Sequence, residues 1–503
     1  MNKNILEWLE ETSKKFPDKI AFEDVENSIT FSEVESTAKH IASELVKHTN
    51  VRKPVIVISG RKVLTPAVFL SVVYAGCFYA PLDVTAPIYR LNKIIENTKP
   101  SLILCDKDNF EFAKSLEFDG EILIAEDLMN TDIDEKALAD VREQSTNKDP
   151  LYIIFTSGSS GTPKGVQTAH ISVMTYINAY SKVMKIDEND VFGNQSPLDY
   201  IAAIRDIYLP LKHGASTFII PKQYFSTPAA LFDVLNERKI TAVGWSVSAL
   251  TLPTKLGAFE HTKPMYLKKI CFSGSVMPCS CLKIWQEQLP ETLFVNQYGP
   301  TEATASCTYY VVENKVEDTD VLPIGQPYEN YEIFLLNDDN TETEKGEIGE
   351  ICVRGNGVTM GYYNSPELTA RSYIQYPFSD EKEIVYKTGD LGRIREDGLL
   401  EFHGRKDRQI KHLGHRVELG EIEEAVKAIE SVEECAVLYN KPKEQICLFY
   451  SGDATAKDIA KHLRATLPGF MVPRKFENLS ELPHLPNGKI DMQEINKKYI
   501  LEA

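Results

Sequence analysis

The stretch Tyr152-Ile-Ile-Phe-Thr156-Ser157-Gly158-Ser159-Ser160-Gly161-Thr162-Pro163-Lys164-Gly165-Val166 constrains this chain most. A run of β-formers feeds a loop of glycines and hydroxyls, and one lysine follows. Gly158, Gly161 and Gly165 permit close backbone approach, so successive N–H groups can face an anion. Thr156, Ser157, Ser159, Ser160 and Thr162 add hydroxyl donors, and Lys164 adds a positive charge. Two readings stand on composition: a flexible surface turn, as Ser/Gly runs often are, or a phosphate cradle. It is not the G-x-x-x-x-G-K-[ST] loop, because only two residues separate Gly158 from Gly161 and Gly165 follows Lys164.

A chain of 503 residues exceeds one ordinary core, so two or more domains are expected. The net charge of −18 argues against nonspecific binding to nucleic acid or anionic membrane. It also requires that any anionic ligand meet a local positive site or Mg²⁺. The acidic N-terminal stretch has no signal-peptide core, and no run of about 18 apolar residues predicts a membrane span. The nine cysteines are scattered. The one close pair, Cys279 and Cys281, has poor zinc spacing. Reduced thiols and a cytoplasmic location are expected.

Strand and helix periods alternate through the first 320 or so residues, which predicts α/β layers. Ser32 reads as the N-cap of a helix carrying Val34, Ala38, Ile41 and Leu45. Val55-Ile-Val-Ile is a buried parallel-type strand. Residues 127–149 read as an irregular acidic excursion, and Val191–Ile201 as a strand leading into a helix. From Val321 short strands alternate with glycine turns, predicting a β-rich subdomain over about 321–405. The charged segment Gly404–Lys411 marks a boundary. The predicted organisation is a large N-terminal domain, 1–405, and a small mobile α+β domain, 406–503.

The second strong motif is Asn296-Gln297-Tyr298-Gly299-Pro300-Thr301-Glu302. Gly-Pro sets a sharp turn, Tyr298 offers a flat ring, and Thr301 and Glu302 present an oxygen pair suited to a phosphate and Mg²⁺. Asp390, in the Thr-Gly-Asp turn at 388–390, is either a turn cap or an acceptor for two sugar hydroxyls. Together with the opening loop, Tyr79-Ala-Pro-Leu-Asp83 and Pro486-Asn-Gly-Lys489, these motifs resemble the adenylate-forming superfamily nearly end to end. Within it, Leu322-Pro-Ile-Gly325, Glu344–Glu350 and Phe470–Phe476 are most similar to stand-alone amino-acid adenylating enzymes of the D-alanine–carrier-protein ligase type.

The resemblance implies a two-step reaction. A carboxylate attacks the α-phosphate of MgATP to give acyl-AMP and pyrophosphate, and a thiol then displaces AMP. It assigns Thr156–Thr162 and Lys164 to the phosphates and Glu302 to Mg²⁺. Thr301 and Lys489 join Lys164 as catalytic groups, with Lys489 bridging the carboxylate and the α-phosphate. Asn296, Tyr298, Gly299, Asp390 and Arg405 are assigned to the nucleotide. Asp407 matches the hinge about which the small domain turns for the second step, and Gly414 the glycine of a thiol tunnel. The chain ends about a dozen residues after Lys489 with no phosphopantetheine serine motif, so a phosphopantetheinylated carrier protein is expected in trans.

One position departs from the pattern. Amino-acid members place an aspartate against the substrate α-amine where this chain has Ile201. Asp199, two residues earlier on the predicted strand, would face the same side and suit a displaced amine, as in a β-amino acid. Alternatively the acid has no amine there, as in an acyl- or aryl-CoA ligase. Ala202, Arg205, Gly244, Cys271, Ser273, Gln297, Ala305 and Ser306 complete the inferred pocket. Arg205 either points inward, favouring a second anionic or polar group, or pairs with Asp206 or Asp199 at the surface.

Overall fold

The structure is a computed structural model that describes residues 4–158, 161–378 and 383–501. Two large sheets carry the N-terminal part. In the nine-stranded sheet, six parallel strands lie in the order Leu293–Tyr298, Lys269–Ser273, Ala242–Ser246, Val191–Asn194, Ser216–Ile219 and Ile20–Glu23, with antiparallel strands at both edges. In the seven-stranded sheet, Pro150–Thr156 pairs parallel with Phe78–Pro81 on one side. On its other side it pairs antiparallel with Lys164–Ala169. The glycine-hydroxyl loop is therefore the connection of a hairpin.

Continuous apolar strands and an apolar helix account for how the sheets meet. All five residues of Pro54–Ile58 are buried, as a parallel strand covered on both faces must be. All ten residues of helix Thr65–Tyr74 are buried, so it has no solvent face. One hydrophobic core runs through both sheets and the helices Phe31–His48, Thr65–Tyr74, His170–Met184 and Ile204–His213. Helix Phe31–His48 is capped by Thr30, not Ser32 as expected. Glu33 sits three residues beyond Thr30 and closes a capping box on it.

A five-stranded antiparallel sheet spans Tyr331–Arg405. After it come the hairpin of strands Gln409–His412 and His415–Glu418, helix Leu419–Lys427, and a three-stranded sheet with its own core. Two expectations are corrected. The stretch 127–149 contains helix Glu135–Gln144, whose Leu138 joins the main core. The strand at 191 stops at Asn194, and residues 201–203 form a 3₁₀ turn. All nine cysteines are buried and free. Among the described residues no helix is long and apolar enough to cross a membrane.

The two sheet systems also share one buried polar contact. The hydroxyls of Tyr79 and Tyr208 lie 2.7 Å apart, both side chains fully enclosed. Tyr79→Phe or Tyr208→Phe strands the remaining hydroxyl, and each should cost about 1–2 kcal/mol in denaturant unfolding. The double Phe variant should lose clearly less than the sum of the two; strict additivity would show that the contact carries no coupling.

Candidate active site

The C-terminal ends of the parallel strands converge on one cleft, the position that open α/β sheets reserve for ligands. Gln195 and Ser196 follow the strand at 191, Ser246 and Ser273 end theirs, and Gly299, Pro300 and Thr301 follow the strand at 293. The roof is the hairpin of the small domain, which contributes Lys411, Leu413, Gly414, His415 and Arg416. Tyr200 holds the hairpin tip by donating its hydroxyl to the Gly414 carbonyl at 3.2 Å.

At the glycine-hydroxyl loop, groups from the small domain occupy the donors. The Ser157 hydroxyl donates to the Arg416 carbonyl, the Gly158 N–H to Glu421, and Lys164 Nζ to Glu418 at 3.1 Å. Glu421 is also paired with Arg90. Gly158 is needed here, because a Cβ would meet the Thr162 carbonyl oxygen at 2.0 Å. Gly161 and Thr162 lie in the same turn, while Ser159 and Ser160 lie outside the described residues.

Glu302 is fully buried, and its two oxygens lie 2.8 and 3.0 Å from Arg416 Nη1. Tyr362 donates its hydroxyl to the same carboxylate at 2.6 Å. Burial pushes the Glu302 carboxyl up, but Arg416 and Tyr362 outweigh it and hold the group below the usual range. This carboxylate is thus held ionised against a cation, and that cation here is Arg416. Thr301 lines the cleft beside it.

On the other side, Asp390 accepts from the Tyr298 hydroxyl and from Arg405, and Arg405 in turn makes two 2.6 Å contacts with Asp407. Asp407 Oδ1 also accepts the Gln409 N–H at 3.1 Å, which fixes the start of the hairpin. Lys411 Nζ lies 5.7 Å from the Tyr298 ring centre. A second cavity adjoins, lined by Val276, Asn296, Tyr298, Leu322 and Phe402 with the charged Arg393, Glu401 and Lys411 at its walls.

The end of the cleft next to helix Ile204–His213 is lined by Ile201, Ala202, Arg205, Ser273, Ala305 and Ser306. Gly244, Cys271 and Gln297 lie behind this wall as partners of Arg205. The Thr304 and Ala305 backbones are left-handed, with φ of 55° and 70°, and the Thr304 hydroxyl ties this turn to the Gly357 carbonyl. Asp199 is not on the cleft wall. With the strand ended at Asn194, the two-residue alternation that would have aimed it inward does not apply. Its carboxyl is instead set among Asp83 and Arg61. The alternative pairing of Arg205 at the surface is also excluded, because Arg205 is only 2% exposed.

Lys489 stands apart. It is exposed on the turn Leu485–Lys489, its backbone N–H donating to Asn487, and it does not reach the cleft. The charged small-domain residues that do line it, Lys411 and Arg416, were not singled out from the sequence, nor were Glu418 and Glu421 on the glycine-hydroxyl loop. Their one legible signal was the density of charge flanking Gly414.

Burial, followed by the neighbouring Asp83 charge, pushes the Asp199 carboxyl up to about 7, with Arg61 opposing. A carboxyl raised on folding binds its proton more tightly in the native state, so its ionisation destabilises the fold as pH climbs from about 4 to about 7. Asp199→Asn should therefore gain stability over the wild type progressively through that window and hold a constant advantage above it. Paired thermal melts at pH 5 and pH 8 check this; an equal difference at both would refute the shifted carboxyl.

Comparison with known proteins adds the following. Residues 9–363 match the family described as AMP-binding enzyme, and residues 421–489 the AMP-binding enzyme C-terminal domain. The D-alanine–D-alanyl carrier protein ligase of Bacillus cereus (strain Q1) is 30% identical over 98% of this chain and 98% of its own length. Tyrocidine synthase 1 of Brevibacillus parabrevis is 29% identical over 97% of this chain, which spans only 44% of that protein. A solved NRPS protein containing adenylation and PCP domains superposes with a TM-score of 0.85 at 21% identity, over 99% of this chain and 84% of that one.

Proposed function

The chain belongs to the AMP-binding enzyme family of adenylate-forming ligases, and from that premise we propose that it activates a small carboxylic acid as its adenylate and passes the acyl group to a thiol. In the first step a carboxylate oxygen forms a bond to the α-phosphorus of ATP as the bond to pyrophosphate breaks. In the second the thiol sulfur attacks the acyl carbon, AMP leaves and the thiol proton goes to solvent. The acid is proposed to be an amino acid, β-amino and other non-standard ones included. The acceptor is proposed to be the phosphopantetheine thiol of a separate carrier protein.

One observation carries this reading: Thr301, Asp390, Arg405 and Arg416, far apart in sequence, line one cleft, with Glu302 held on Arg416 and Lys164 on Glu418. The cavity at Tyr298 and Asn296 suits adenine, and Asp390 suits the ribose hydroxyls. Thr156–Thr162 and Lys164 suit the phosphates. Glu302, with Thr301 beside it, is the residue that would hold Mg²⁺ once Arg416 is withdrawn. The ion would supply positive charge against the phosphates during the attack.

The two steps need different roofs. Here the roof is the Gly414 hairpin, with Lys489 in solvent, which suits the thiol step. Adenylation would require the small domain to turn about Asp407, lifting Arg416, Glu418 and Glu421 off the phosphate donors and bringing in Lys489. A second reading, an amine-free acid, is favoured by the acid end of the cleft: it presents Ile201 and no carboxylate among the described residues, so an ammonium has no counter-charge there.

Lys489→Ala separates the steps. Acid-dependent ATP–pyrophosphate exchange should fall by roughly 100-fold or more. Thiol transfer from acyl-adenylate supplied ready-made should stay within a few-fold of wild type. Exchange at the wild-type rate would remove Lys489 from the mechanism.

A further inference from the structure

We propose that the acid taken up by this cleft carries a second anionic group, a carboxylate or its equivalent, remote from the carboxyl that is activated, and that Arg205 reads it. The proposal rests on the adenylation reading for which end of the cleft receives the acid.

Arg205 lines the cleft from helix Ile204–His213, and 98% of its surface is withdrawn from solvent. Its protein partners are all neutral. Nη2 donates to the Gly244 carbonyl at 3.0 Å, and Nη1 donates to Gln297 Oε1 at 3.0 Å and toward the Cys271 sulfur at 3.5 Å. Among the described residues no carboxylate lies within ion-pair distance of it, and its Nε has no partner at all. Asp206, the next residue, acts on Arg205 through space but makes no direct ion pair with it. Successive helix residues point about 100° apart, and its carboxylate instead accepts from Asn194 Nδ2 at 2.7 Å. A guanidinium enclosed to this degree without a directly paired anion is costly.

Its surroundings are shaped to keep it there. At Gly244 a Cβ would lie 3.0 Å from Arg205 Nε and 3.1 Å from Cζ, so the guanidinium rests on the one residue type that leaves it room. Gln297 is held between Arg205 and the Tyr328 hydroxyl, its Oε1 toward the arginine and its Nε2 donating to the tyrosine. The unpartnered Nε of Arg205 leaves a donor on a fixed positive charge, which an anionic oxygen of a carboxylate would satisfy. The same charge repels an ammonium from this end of the pocket, consistent with Ile201 in place of an acidic residue.

The test is ATP–pyrophosphate exchange by the intact chain with acids in matched pairs that differ by one carboxylate: glutarate and valerate, succinate and butyrate, glutamate and norvaline, phthalate and benzoate. In the best pair the diacid should exceed its partner by roughly 100-fold in kcat/KM, because a site built for an anion rejects the analogue that lacks it. Arg205→Leu should reverse that preference, with Arg205→Lys between the two. A monoacid preferred in the best pair, or a diacid preference unchanged in Arg205→Leu, overturns the proposal while leaving adenylation intact. If Arg205→Leu melts early, the wild-type ratio alone decides. Exchange with no acid in the panel overturns the adenylation reading, and this proposal falls with it.

Discussion

The pair of Glu302 and Arg416 holds the two parts of this protein in register. Glu302 belongs to the large domain and is fully buried; Arg416 arrives on the hairpin of the small one. Taking either charge out of water alone would cost several kcal/mol, so each is tolerable only because the other is present. Around this pair the interface carries two further charge matches, Lys164 with Glu418 and Arg90 with Glu421. Each is largely shielded from solvent.

The consequence is a competition built from like for like. Glu418 and Glu421 are carboxylates sitting on an ammonium and a backbone N–H of the glycine-hydroxyl loop. Arg416 is a cation sitting on the Glu302 carboxylate. Under the proposed function, a bound MgATP and this position of the hairpin make rival claims on the same donors and acceptors. That rivalry is a physical reason for a small domain to rotate, with Asp407 holding both Arg405 and the Gln409 N–H at the point where the chain crosses over.

Much of the site was legible along the chain, because its parts lie on short local motifs. Thr156–Lys164 had to be a turn after a strand, and Gly299-Pro300-Thr301-Glu302 had to be a sharp corner. Local chemistry dictates both, independent of what packs around them. The layered α/β fold followed from continuous apolar strands such as Pro54–Ile58 alternating with helical periods. The misreadings fell where local signals compete. Thr30 and Ser32 are both acceptable caps, and only the reach of Glu33 selects Thr30. The alternation through Val191–Ile201 could not reveal that the strand ends at Asn194, because what ends it is tertiary: Asn194 is claimed by Arg61 and Asp206.

The sequence by itself determined the family and the fold class, since these rest on residue types at short fixed spacings. The tertiary structure alone decided which side chains line the cleft. It set Asp199 outside the wall and enclosed Arg205 inside it. It also decided which face of the small domain covers the cleft, bringing Arg416 and Gly414 in and leaving Lys489 in solvent. The physical reason is the same in each case. Burial and charge pairing depend on partners hundreds of residues away, and no local pattern in the chain encodes where those partners come to rest.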